Sequence, residues 1–336
     1  MIDNKLSQKI AFFHIFGLML VIPIHIAMKM DPAFSSYFVA PFRVFCHAFQ
    51  PIYFGLAGYL FFQNIESDAI QKCKSKLKKR VNSLIVPYIL WNILAFGLYL
   101  LLVHYDIKSY LVDSFQTLYA SRTVLDLIFH VPVDEHLWFV QDLIVVSIIS
   151  LPLYYLLNNK KWYVLLCLVA LTMVVHQTKM ASIASFAIGS YVGINHNELL
   201  QRTCKSKFLF AVFIIGTIIV IGIQLYHALP LNVLFMFAWV IAVTLWMLYD
   251  MANMDKRLCK YKLGGVRKYF FFCYLAHDPL LSIICNKLSA WSDFNFLISV
   301  ILYLVVFVGI ISTMVFLGFL LDKKLHRVFA VLTGGR

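Results

Sequence analysis

Charge is scarce in this chain. Only 13% of its 336 residues are Asp, Glu, Lys or Arg, and 62% are hydrophobic. An ordinary soluble domain has roughly a quarter charged and about half apolar residues. That shortage excludes a single water-soluble core, because too much apolar surface would be left to cover. No CxxC pair occurs among the seven cysteines, which excludes a zinc ribbon and argues against a disulfide framework. They read as reduced, mostly structural thiols. No GxSxG, HExxH or P-loop stands where a strand-turn-helix or helix could use it. No small-residue cleavage site follows the first apolar run, which ends Met28-Lys29-Met30-Asp31, so that run reads as a transmembrane helix and not as a signal peptide. No internal repeat is visible, which weighs against a transporter built from inverted repeats.

What is present is a series of apolar stretches long enough to cross a bilayer. Ten are expected, at 10–29, 43–63, 83–103, 137–157, 162–178, 181–196, 208–226, 230–249, 269–288 and 295–321. The expected fold is an all-α integral membrane protein, a bundle of about ten transmembrane helices forming one domain over residues 1–336. With ten spans, all but six of the 29 basic residues fall on one side; the six are Lys29, Arg43, Lys108, Arg122, Lys179 and Lys287. The positive-inside rule then puts both termini in the cytoplasm. The net charge of +13 reflects this topology and implies no nucleic-acid partner. Ala181, Ser185, Gly189 and Gly193 recur every four residues, a spacing that lets two helix backbones approach closely. Oligomeric state, a homo-oligomer included, is left open.

Ionisable groups inside spans are costly and point to cavities or partners. His14 and His25 lie eleven residues apart, on nearly one face of the first helix and about 16 Å apart along its axis. Pro23 lies just before His25 and is expected to kink the helix and open room there. His47, Gln50, Glu135, His136, Gln141, Asp142, His277 and Asp278 fall at depths where they could join His25 in an outward-facing polar chamber. His14, Lys79 and Arg80 are the matching candidates on the inner side. The histidines lie on different spans without metal-ligand spacing, so no metal site and no bound cofactor are expected. A histidine within reach of a carboxylate is the usual general base. Two chemistries remain: acid–base catalysis on a hydroxyl, or proton coupling in a transporter or flippase of a glycan or lipid.

Five short motifs add to this. They are His25 with ten residues between it and position 14, Ala57-Gly58-Tyr59-Leu60, Arg80 leading to Pro87-Tyr88 and Trp91, His136-Leu137-Trp138-Phe139-Val140, and Tyr274-Leu275-Ala276-His277-Asp278-Pro279-Leu280-Leu281. In this order the chain resembles the acyltransferase type 3 family of integral membrane O-acyltransferases. The resemblance implies transfer of an acyl group, usually acetyl, from cytoplasmic acyl-CoA to a hydroxyl of a cell-surface or exported glycan. The setting it implies is the plasma (inner) membrane, crossed many times. His25 is then the base or a transient acyl carrier, with Glu135 or Asp142 orienting it. His14, Lys79 and Arg80 face the phosphates of the donor. His47, Gln50, His136, Trp138 and His277 hold the acceptor, and residues 104–136 help to choose it. The pattern departs from the family at two places: His14 stands at its basic position, and Ser83 replaces its second arginine. Another residue must compensate, or the donor differs, or activity is lost.

Overall fold

The structure, a computed structural model, describes residues 3–27, 46–105, 132–278 and 296–335, with 281 and 284, apart from 48, 64, 66, 67, 176, 177 and 228–230. Among the described residues every regular element is helical. The helices are α1 (Asn4–Ala27), α2 (Phe49–Phe62), α3 (Ala69–Arg80), α4 (Val86–His104), α5 (Trp138–Ile148), α6 (Ser150–Leu157) and α7 (Trp162–Val174). They continue with α8 (Thr178–Asn195), α9 (Lys207–His227), α10 (Leu231–Met251), α11 (Met254–Leu258), α12 (Leu263–Ala276), α13 (Phe296–Lys324) and α14 (His326–Thr333). Each of the ten expected apolar segments overlaps a helix. Four stretches are long and apolar enough to cross a membrane: Asn4–Pro23, Ala69–His104, Lys207–Gln224 and Leu297–Lys324. The pair α5 and α6, bent by 58°, makes a fifth if it is one span. The 13 residues of α7 fall short of the ~20 that span a bilayer.

Proline explains two irregularities. The expected single span 137–157 breaks at Ile149, whose φ of −79° and ψ of 2° are not helical. Pro152 has no N–H to offer the Ile148 carbonyl, so the ladder fails there. Pro87 likewise leaves the Ser83 carbonyl without its partner, and the chain answers with a π turn at Val81–Ile85, where the Val86 N–H reaches the Val81 carbonyl. Pro23 lies inside α1, which continues through it to Ala27. The expected acceptor loop, 104–136, falls mostly outside the described residues.

The chain divides into two compact units, each assembled from three stretches. The first comprises residues 1–17, 40–77 and 145–267. In it α2 and α8 cross backbone to backbone. A Cβ on Gly189 would run into the backbone of Gly55, and one on Gly58 into the Phe186 carbonyl. A Cβ on Gly193 would lie 2.8 Å from the Tyr59 carbonyl. The small-residue ladder of α8 therefore packs as its spacing suggests. Gly189→Val should lower the unfolding free energy in detergent by about 3 kcal/mol, because the contact is with main chain that cannot repack; an unchanged melting temperature would contradict that. The unit also buries an ion pair, Lys9 Nζ to Asp250 Oδ1 at 2.7 Å, with the ammonium 3.9 Å from the centroid of the Trp246 ring. The second carboxylate oxygen of Asp250 accepts the Cys204 N–H at 2.9 Å.

The second unit comprises residues 18–39, 78–144 and 268–336. Its core joins the last turns of α1 (Ile22, Ile26) to Cys273 of α12 and to Tyr303, Val306 and Ile310 of α13. The Tyr303 hydroxyl donates to the Pro23 carbonyl at 3.3 Å, so the proline's turn is held from the side. Trp91 of α4 donates from Nε1 to the Leu332 carbonyl at 3.0 Å, and its ring meets Phe272. Asn92 clips the start of the 132–137 segment to α4: its Oδ1 accepts the Val133 N–H at 2.7 Å, while its Nδ2 donates to the Tyr88 carbonyl at 2.8 Å. That clip fixes the approach of Asp134 and His136.

Candidate active site

Three histidines from three separate elements of the second unit meet. His25 ends α1, His136 sits in the 3₁₀ turn Glu135–Leu137, and His277 follows α12. Ring centroids are 4.0 Å apart for His25 and His136, 5.2 Å for His136 and His277, and 5.6 Å for His25 and His277. His136 and His277 are buried and His25 is half-buried. Tyr274, in the last turn of α12, donates its hydroxyl to the His136 carbonyl at 2.5 Å and so ties the turn to the helix.

The hydrogen bonds fix the tautomers. His136 Nδ1 lies 3.1 Å from Asp134 Oδ1 and 3.4 Å from Asp278 Oδ2. A carboxylate only accepts, so His136 carries its proton on Nδ1. Its Nε2 then bears the lone pair toward His25 Nδ1, 3.1 Å away. His25 must donate from Nδ1, which leaves the basic lone pair on its Nε2. Asp134 also accepts the His136 N–H at 3.0 Å, which fixes the carboxylate itself. His277 Nδ1 donates to the Tyr274 carbonyl at 2.6 Å, so its lone pair is on Nε2. That Nε2 is buried and has no hydrogen-bond partner among the described residues, so it is a ready acceptor for a hydroxyl.

The other expected site residues divide by unit. His25, His136 and His277 come together, and Trp138 opens α5 directly after the turn that carries His136. Asp142 is buried on α5. The side chain of Glu135 lies outside the described residues. Arg80 is half-buried and Lys79 exposed at the end of α3. The first unit holds His47, Gln50 and His14. Gln50 Nε2 donates to Ser182 Oγ at 3.4 Å. His14 stacks on Tyr53 with ring centroids 5.3 Å apart, the Tyr53 hydroxyl donates to the His14 carbonyl at 2.5 Å, and Arg267 Nη1 lies 3.3 Å from His14 Nδ1. Asp134, Tyr274 and Arg267 are the residues that sequence reasoning left out. Asp134 and Tyr274 lie two and three residues from histidines that it named, which was the available signal.

The geometry supplies an imidazole base backed by a second imidazole and a buried carboxylate, beside a third imidazole that can accept a hydrogen bond. A model of the family described as an acyltransferase domain matches residues 12–321, nearly the whole chain. No curated protein and no solved structure matches it. With its apolar helices this is a membrane protein, and the chain belongs to the acyltransferase type 3 family.

Proposed function

We propose that this acyltransferase moves an acyl group, acetyl foremost, from cytoplasmic acyl-CoA to a hydroxyl of a cell-surface or exported glycan. The observation that carries the reading is the hydrogen-bonded chain from Asp134 through His136 to His25. His25 Nε2 takes the acceptor's hydroxyl proton. The oxygen attacks the thioester carbonyl, the C–S bond breaks, and the CoA thiolate leaves and takes up a proton. Positive charge forming on His25 is shared with His136 and stabilised by Asp134 and Asp278, which is why a paired carboxylate is worth burying. Attack by His25 itself, giving an acyl-imidazole that the hydroxyl then opens, uses the same relay. His277 Nε2 orients the hydroxyl. In this reading the chain crosses the plasma (inner) membrane ten times with cytoplasmic termini, in keeping with the bias of its basic residues.

The test is the product. Glycan from cells with and without the chain is compared by NMR for O-acetyl esters and treated with mild alkali. Alkali-labile esters present only with the chain support acyl transfer. Unesterified glycan that reaches the surface only with the chain would favour the competing proton-coupled transporter, since buried His and Asp can serve proton relays as well.

The same three imidazoles present nitrogen atoms within 4.8 Å of one another, a set that could close on a divalent cation. A proton relay needs no cation, so exhaustive dialysis against EDTA should leave the transfer rate unchanged. Loss of activity that added Zn²⁺ restores would assign the cluster to a metal.

A further inference from the structure

Arg267 lies in the first turns of α12, half-buried, and the partner at its Nη1 is the His14 ring at 3.3 Å. No carboxylate pairs with it among the described residues. A half-buried guanidinium that faces an imidazole and no carboxylate keeps N–H donors for an anion from outside. One N–H of the fork goes to His14 Nδ1, and the fork has others left to reach a second acceptor. His14 is held in place by its stack on Tyr53 and by the Tyr53 hydroxyl on its own carbonyl. The Gln8 Nε2 donates to the Tyr261 carbonyl at 3.4 Å, joining the start of α1 to the segment that leads into α12. That segment carries the exposed cations Lys256, Arg257, Lys260 and Lys262, which favour the approach of an anion.

We propose that Arg267 and His14 form a phosphate-binding pair that holds a phosphate of the acyl-CoA donor. The proposal deepens the acyl-CoA reading above and rests on it. It also says where the cation missing from position 14 comes from: Arg267 brings it to the same place from a different helix. A planar fork beside an imidazole suits a phosphate, which can accept two parallel N–H bonds.

The purified full-length chain in detergent is tested for binding of labelled CoA, in wild type, Arg267→Gln, Arg267→Lys and the charge exchange His14→Arg with Arg267→Gln. The expected result is a loss of CoA affinity of about tenfold or more in Arg267→Gln, the range of a lost charged hydrogen bond. Arg267→Lys keeps the charge but loses the planar fork, so its affinity should fall between wild type and Arg267→Gln; it also controls for folding. The charge exchange should recover at least half of the lost affinity on a logarithmic scale. Equal CoA affinity in wild type and folded Arg267→Gln overturns the pair while leaving the acyltransferase reading intact. A wild type that binds no CoA overturns the donor reading and the pair together. A parallel arm uses phosphatidylglycerol. Thermal stabilisation by that lipid and not by CoA, lost in Arg267→Gln, would assign the phosphate to a headgroup and overturn the donor assignment.

Discussion

His25→Ala is expected to lower the acyl-transfer rate by about three orders of magnitude, within the span that positioned acid–base groups contribute. The loss should fall on kcat. The ring sits at the last turn of α1, and its Nδ1 is committed to His136, so alanine removes both the basic nitrogen and the outlet of the relay. Folding should survive, because the substitution leaves the apolar core of Ile22, Ile26, Cys273 and Tyr303 in place. Gel filtration in detergent checks this before the rate is read. A folded His25→Ala enzyme that works at the wild-type rate would remove His25 from the chemistry under either mechanism.

The second large effect belongs to the relay behind it. His136→Ala should cost about a hundredfold, and Asp134→Asn a similar factor, since the amide could offer an N–H to His136 Nδ1 and reverse the tautomers along the chain. The sharper expectation is non-additivity. His25→Ala combined with His136→Ala should be no slower than His25→Ala alone, because His136 acts only through His25. A double variant slower by the product of the two single effects would give His136 an independent role, such as direct contact with the substrate. Asp278, 3.4 Å from the same nitrogen, can compensate in part for Asp134, so Asp134→Asn should lose less than the same change combined with Asp278→Asn.

Much of this was legible in the sequence because membranes make polar residues conspicuous. His25, His136 and His277 each stand in or beside an apolar run, and the cost of placing them there marks them whatever the fold. Their meeting was an expectation, and the structure brings them to ring distances of 4.0–5.6 Å. The partner carboxylate was harder to read. Residues two apart point away from each other on an α-helix, so Asp134 did not suggest itself beside His136. The segment is instead a 3₁₀ turn, and the Leu137 N–H bonds the Asp134 carbonyl, which folds the aspartate back over the ring. Arg267 and His14 are 253 residues apart, and no local pattern announces that pairing. The break at Ile149 was foreshadowed by Pro152, but a hydropathy window smooths over a single proline.

The decisive measurement uses the purified chain reconstituted into vesicles, as wild type and as folded His25→Ala. Labelled acetyl-CoA is supplied together with glycan from the native envelope, and label in alkali-labile esters is counted. The expected result is ester label that accumulates with wild type and falls to background with His25→Ala. Equal ester label from both proteins would contradict the assignment of His25. No ester from either, with the native acceptor present and both proteins folded, would contradict acyl transfer itself and leave the buried histidines as a proton path.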